Sequence, residues 1–159
     1  MEKKDVIESL KENFSGKIQN ILIQFGDEIV LIESRALLDI AKFLKEDPYN
    51  FVMLLDLTCV DYPQKEMRFE MVYHFYSLIH NIRLRFKACL PSENPAINSL
   101  TSLWKNANWL EREVFDMFGV KFDGHPDLRR LFMYDGFEGY PLRKDYPLRK
   151  KQPRLRLRK

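Results

Sequence analysis

The chain has 159 residues, 45% apolar and 31% charged, the proportions of one globular domain built on one core. No run of about 18 apolar residues exists to cross a bilayer. The start, Met1-Glu2-Lys3-Lys4-Asp5, has no apolar signal core behind it, so a protein made and kept in the cytoplasm is expected. The net charge of +3 is uneven: residues 142–159 hold nine Lys or Arg and one Asp, giving +8, so residues 1–141 carry −5. An acidic body with a basic tail predicts a partner for the tail.

Val6, Leu10 and Phe14 recur at helical spacing, which predicts a short amphipathic helix over Asp5–Asn13. Lys17–Phe25 and Glu28–Glu33 read as a hairpin turning at Gly26-Asp27. Ser34 is the expected N-cap of a helix whose face is Leu37, Leu38, Ile40, Ala41 and Leu44, stopped by Asp47-Pro48. Phe51–Leu57 is a continuous apolar run and predicts a buried strand ending in Thr58-Cys59-Val60-Asp61.

Period-two alternation is clearest over Met67–Tyr76 and Ile82–Leu90, with His80-Asn81 as the turn between them. Two antiparallel strands follow, with one face on the core and one face wet. The fold class expected is α+β: an antiparallel or mixed meander of four to five strands with helices packed on one face. Ile97, Leu100 and Leu103-Trp104 suggest a short helix after a Pro91–Pro95 linker. Asn108-Trp109-Leu110-Glu111 has the form of a capping box opening a helix with Leu110, Val114, Met117 and Phe118 inward and Gly119 closing it.

After Gly119 the texture changes. Residues 119–159 hold four of the six glycines and half of the eight prolines. The chain therefore divides into an α+β domain, 1–118, and an extended, Pro/Arg-rich docking tail, 119–159. Phe122, Leu131, Phe132, Phe137 and Tyr140 are too many large apolar groups to leave in water. The near-repeat Tyr140-Pro141-Leu142-Arg143-Lys144-Asp145 and Tyr146-Pro147-Leu148-Arg149-Lys150-Lys151 fits two turns of polyproline II per unit. Beyond it, Arg154, Arg156 and Arg158 alternate with Leu155 and Leu157, a pattern able to add a strand to another sheet.

Signals of chemistry are few. Cys59 and Cys89 form no CxxC and no zinc or iron–sulfur spacing, and two spare thiols suit a reducing compartment. There is no GxGxxG or GxxxxGK[ST] phosphate loop. Glu111, Arg112, Glu113 and Asp116 crowd one helix, where Arg112 and Asp116 at i,i+4 can pair. An acid–base couple of Glu113 and Asp116, with His125, would make a hydrolase, but no second group marks a cleft and the cap-and-ion-pair reading outweighs it. The basic tail could neutralise phosphates as a nucleic-acid arm. Its interleaved Pro, Leu and Tyr and the acidic body favour a protein partner instead, with no nucleic acid.

The stretch Trp109–Pro147 resembles the 30-kDa-type subunit (the C component) of the proton-translocating NADH–quinone oxidoreductase, respiratory complex I. The family pattern falls on Glu111-Arg112-Glu113, Asp116, Met117-Phe118, Gly119, Gly124-His125-Pro126-Asp127, Arg129-Arg130, Gly139 and Pro141-Leu142-Arg143-Lys144-Asp145-Tyr146-Pro147. Tyr134-Asp135-Gly136-Phe137 stands where the family usually has P-D-D-W, and the unusually basic end, Arg149–Lys159, is not mapped onto the family. The resemblance implies a subunit of the hydrophilic arm without a redox centre. FMN, iron–sulfur clusters and quinone would belong to partner subunits, and the motif residues would be interface and scaffold. It further implies packing on the 49-kDa-type subunit (the D component) and on the cluster-bearing B and I components. The place implied is the cytoplasmic face of the bacterial inner membrane (the matrix side in an organelle), with the membrane reached only through the complex. Arg129 and Arg143 are expected to matter for assembly more than for folding. A related membrane-bound hydrogenase or a quinone reductase fed by another donor is the alternative setting.

Overall fold

A computed structural model describes residues 2–153. Helix α1 (Lys3–Phe14) leads into strands β1 (Ile18–Gln24) and β2 (Asp27–Ile32), which pair antiparallel. The tight turn between them is Phe25-Gly26, both at positive φ (54° and 83°), one residue earlier than the Gly-Asp pair suggested. A 3-10 turn (Ser34–Ala36) precedes α2 (Leu37–Lys45). Ser34 therefore sits inside that turn and caps nothing, because the chain tightens before the helix begins.

Strands β3 (Met53–Asp61), β4 (Phe69–Ser77) and β5 (Ile82–Leu90) form an antiparallel meander. β2 joins it parallel to β5, giving a mixed five-stranded sheet in the order β1-β2-β5-β4-β3. β3 is an outer strand. Its apolar run is accordingly half in and half out: Leu54, Leu57 and Cys59 are buried, whereas Met53 and Leu55 are exposed.

The inward register of the sheet brings Phe69, Met71, Tyr73 and Phe75 of β4 and Leu84 and Phe86 of β5 into one core with Val6, Leu10, Ile40 and Leu44 of the helices. Phe75 lies 5.6 Å from Phe86 and 5.1 Å from Trp104, ring centre to ring centre. The other face carries charged side chains in cross-strand pairs, Lys87 with Glu70 at 2.6 Å and Arg85 with Asp27 at 3.1 Å.

Past the meander the short apolar segment is a strand, not a helix. β6 (Ala96–Asn98) pairs parallel with β7 (Lys121–Asp123) on either side of α3 (Ala107–Phe118). Pro95 and the tertiary pairing with Phe122 decide a run too short for periodicity to settle. Val120 and Phe122 are part of the core, and no helix or strand follows Asp123 among the described residues. Residues 154–159, with their Arg/Leu alternation, lie outside the described residues.

Candidate functional site

Helix α3 carries the family-like charges, and its place comes from both ends. Trp104 Nε1 donates to the Val52 carbonyl at 3.0 Å and Asn106 Nδ2 to Leu54 at 2.8 Å, fastening the helix start to β3. The helix opens at Ala107, so Asn108 is already inside it and forms no cap. At the far end Gly119 turns the backbone left-handed (φ 74°), a conformation in which a Cβ is strained. The last helical carbonyls, which have no partner within the helix, are met by the returning chain. Leu142 N–H bonds Met117 O at 3.1 Å and Arg143 Nε bonds Phe118 O at 2.5 Å.

Asp116 is fully buried and collects four donors. Arg130 Nη1 reaches Oδ1 at 2.7 Å, and the N–H groups of Leu131, Phe132 and Met133 converge on Oδ2 at 3.0, 2.8 and 2.8 Å. Burial by itself would push this carboxyl up. The Met133 N–H, the Arg130 guanidinium and the other two amides outweigh it and hold the group below its ordinary value. Arg112 does not pair with Asp116. It lies over the Trp109 ring at 5.0 Å and donates to the carbonyls of Arg129 and Arg130, both at 3.1 Å. Arg130 and the three amides already occupy the Asp116 carboxylate, and Arg112 forks to two carbonyls instead.

Glu111 is also fully buried, but it faces no cation. Its Oε1 accepts the Leu100 N–H at 2.6 Å and its Oε2 lies 2.7 Å from Ser99 Oγ. Desolvation pushes its carboxyl up to about 7, against the pull of the Ser99 and Leu100 hydrogen bonds. The expected reach back to a cap does not form, because these interior donors take both oxygens. The His125 side chain is buried beside it, Nε2 lying 4.0 Å from Oε2 and 3.2 Å from the Asn108 carbonyl. The Asp127 N–H donates to His125 Nδ1 at 3.0 Å, so the ring hydrogen sits on Nε2.

A second charged cluster ties the tail to the sheet. Asp61, buried at the end of β3, takes Arg68 in a two-pronged pair at 2.7 and 2.8 Å and the Lys144 N–H at 2.7 Å. The Arg68 fork holds its carboxyl low. Arg68 also reaches Asp145 at 2.8 Å. Arg143 lies between the Phe69 and Tyr140 rings, 4.9 and 4.5 Å from their centres. The Tyr140 ring covers Gly119 so closely that a Cβ there would stand 2.5 Å from it. Neither Asp61 nor Arg68 stands out in the sequence, although Asp61 follows Leu57 and Cys59 in the inward register, where a carboxylate must find a partner.

The Tyr-Pro-Leu-Arg repeat is a succession of turns, not polyproline II. Arg143 N–H bonds the Tyr140 carbonyl, Tyr146 N–H that of Arg143, and Lys150 N–H that of Pro147, at 3.1–3.2 Å. Pro141 fits the second position of the first turn. Gly139, at φ 92°, passes under the Tyr146 ring, and Gln152 bonds the Tyr146 hydroxyl. Arg130 Nη2 donates to the Gly139 carbonyl at 3.1 Å. The remaining predicted positions lie outward. Glu113, Gly124, Pro126, Lys144, Asp145 and Pro147 are exposed, and exposed Arg129 pairs with its neighbour Asp127 at 2.9 Å.

The charged side chains of α3 thus form fasteners. Asp116, Arg112 and Arg130 anchor residues 129–133, and Asp61, Arg68 and Arg143 anchor 143–145. Among the described residues no three His, Cys, Asp or Glu side chains gather as a metal-binding group.

The sequence profile of the respiratory-chain NADH dehydrogenase 30 Kd subunit matches residues 30–152. The NADH-quinone oxidoreductase C-type subunit 2 of Rhizobium meliloti (strain 1021) is 44% identical over 138 residues, covering 86% of this chain and 75% of the relative. The C-type subunit of the same enzyme from Geobacter sulfurreducens is 46% identical over 141 residues, covering 87% and 86%. Among solved structures, the trypsin-resistant fragment of Nqo5 superposes with a TM-score of 0.70 at 30% identity, covering 80% of this chain and all of the fragment. A polypeptide of an archaeal membrane-bound sulfane sulfur reductase shares the fold, with a TM-score of 0.77 at 23% identity over 91% of this chain and 85% of that one. With its own body holding the Glu-Arg-Glu helix and the Pro-Leu-Arg-Lys-Asp-Tyr-Pro strap that carry the resemblance, the chain belongs to the family of the 30 Kd subunit of respiratory-chain NADH dehydrogenase.

Proposed function

We propose that this chain is a non-catalytic structural subunit of the hydrophilic arm of an NADH–quinone oxidoreductase. It braces neighbouring subunits with the segment that follows α3. In this reading FMN, the iron–sulfur clusters and quinone are bound by partners. The partners are the 49-kDa-type subunit (the D component) and the cluster-bearing B and I components, on the cytoplasmic face of the membrane. In this reading the membrane is reached through the complex, and no described helix is long and apolar enough to cross a bilayer.

The observation that carries the proposal is the division of labour after Gly119. Arg130, Arg143 and the amides of 131–133 bind inward, whereas Phe132, Leu142 and Leu148 stay exposed at 61%, 51% and 98%. A side chain left outward on a segment fastened from within is available to another surface. The test replaces Phe132 and Leu142 with serine and separates the native membrane complex on a blue-native gel. The expected result is loss of assembled complex with the melting temperature of the isolated chain within about 2 °C of wild type. Full assembly and full NADH–quinone activity would overturn the proposal.

A further inference from the structure

Glu111 is not used by the fasteners described above, yet it is a fully buried carboxyl group in the middle of them. The polar groups around it come from β4, from the corner after β7 and from the loop after β6. From β4 comes the Tyr73 hydroxyl, buried and without a hydrogen-bond partner. From the corner after β7 comes His125, held as the Nε2–H tautomer by Asp127. From the loop after β6 come Ser99, Thr101 and the Leu100 amide. On α3 itself, Arg112 is turned to the carbonyls of Arg129 and Arg130, and Glu113 is exposed. No lysine or arginine neutralises the carboxylate, and an unpaired buried charge takes up a proton instead.

The way for that proton is laid out in oxygen atoms. Glu111 Oε2 lies 2.7 Å from Ser99 Oγ, and Ser99 Oγ lies 2.8 Å from Oγ1 of Thr101, a half-buried residue. We propose that Glu111, Ser99 and Thr101 form a buried proton-exchange site, in which the carboxyl group takes protons from solvent and returns them through two hydroxyls.

The transfer balances. A solvent proton joins Thr101 Oγ1, Thr101 passes its own hydrogen to Ser99 Oγ, and Ser99 passes its own to Glu111 Oε2. Each hydroxyl ends with one hydrogen, and the carboxylate has become the acid. Every partner stays satisfied in both states, because a hydroxyl can donate in either direction. With the acid ionised, Thr101 donates to Ser99 and Ser99 to Glu111; with it protonated, both bonds reverse. The Thr101 N–H, 3.1 Å from Ser99 Oγ, is accepted in either case. The site draws on this chain's residues alone and does not depend on a role in a complex.

The sign of the linkage is fixed by the upward displacement to about 7 from 4.5. The folded chain holds the proton more tightly than the unfolded chain, so the stabilising contribution is complete below pH 4.5 and lost as pH rises through 7. The experiment follows the Glu111 carboxyl carbon by NMR in the full chain across pH 4–9. It also measures urea unfolding of wild type and Glu111→Gln over the same range. Glutamine mimics the protonated acid. Relative to Glu111→Gln, the folding constant of wild type should fall by roughly 100-fold between pH 4.5 and 8. The Glu111 carbon should titrate with a midpoint between 6 and 8. Ser99→Ala, which removes a donor to the ionised form, should raise that midpoint. A midpoint below 5, or a wild-type-to-Gln ratio constant with pH, would overturn the site. A midpoint unmoved by Ser99→Ala would overturn the relay.

Discussion

Replacing Asp116 should destabilise the isolated chain far more than replacing an exposed acid would. The side chain is fully buried, and its two oxygens serve Arg130 and three successive backbone amides. Alanine leaves three amides without an acceptor and takes the carboxylate from Arg130, which keeps only backbone carbonyls. Removing one partner of a buried charged pair costs about 3–5 kcal/mol, and Arg130, whose side chain keeps 22% of its exposure, places the cost at the lower end. A loss of about 3 kcal/mol is a large part of a domain's roughly 5–15 kcal/mol. With a urea slope of about 2 kcal/mol/M, the midpoint moves by ~1.5 M. Asparagine should cost nearly as much, since its amide must face either Arg130 or the three N–H groups, all of them donors. The carboxyl is held below its ordinary value, so its contribution is present above the unfolded value and lost as pH falls through the folded one. The gap between wild type and Asp116→Asn should therefore close in acid. A midpoint shift under about 0.3 M, or a gap that widens in acid, would refute the picture of a carboxylate held by four donors.

Two further substitutions probe the fastening of the strap. Gly119→Ala should lower stability by at least about 2 kcal/mol in thermal melts, because the new Cβ meets both a left-handed backbone and the Tyr140 ring. Shortening Tyr140 to alanine in the same chain should recover part of that loss; no recovery would mean that the Tyr140 ring is not what opposes the Cβ. Arg68→Ala should free Asp145 and leave Asp61 with the Lys144 amide as its one remaining donor. Trypsin should then cut within 143–151 at least ~10-fold faster than in wild type, since cleavage follows local opening. An unchanged rate would count against that anchor.

How far the sequence reveals each feature depends on the range over which the interactions act. The alternation of Phe69–Tyr76 and Ile82–Leu90 carries over to β4 and β5, and Gly119 ends α3 in the left-handed turn its position calls for. Such features follow from neighbours a few residues apart. The parallel docking of β2 on β5 and the pairing of β6 with β7 depend on contacts across 25 or more residues, as in Ala96 with Lys121, and no local pattern encodes them. The same holds at the site. Glu111, Arg112 and Asp116 are visible as charges on one helix, but i,i+4 spacing points to an Arg112–Asp116 pair. Burial instead sends Arg112 to the 129–130 carbonyls and Asp116 to Arg130. Arg143, expected to face another subunit, lies between Phe69 and Tyr140 of its own chain. The prolines of the repeat suggest an extended strip, yet a proline at the second position of a turn satisfies the same fixed φ.

Central to all of this is a strap that the chain fastens by itself before any partner arrives. Hydrogen exchange of the purified, isolated chain tests this most directly, at the amides of Leu131, Phe132, Met133 and Lys144, which donate to Asp116 and Asp61. A self-fastened strap predicts that these four amides exchange at least ~100-fold more slowly than in an unstructured peptide, and that Asp116→Ala abolishes the protection of the first three. Exchange at unstructured rates in the isolated chain would contradict it.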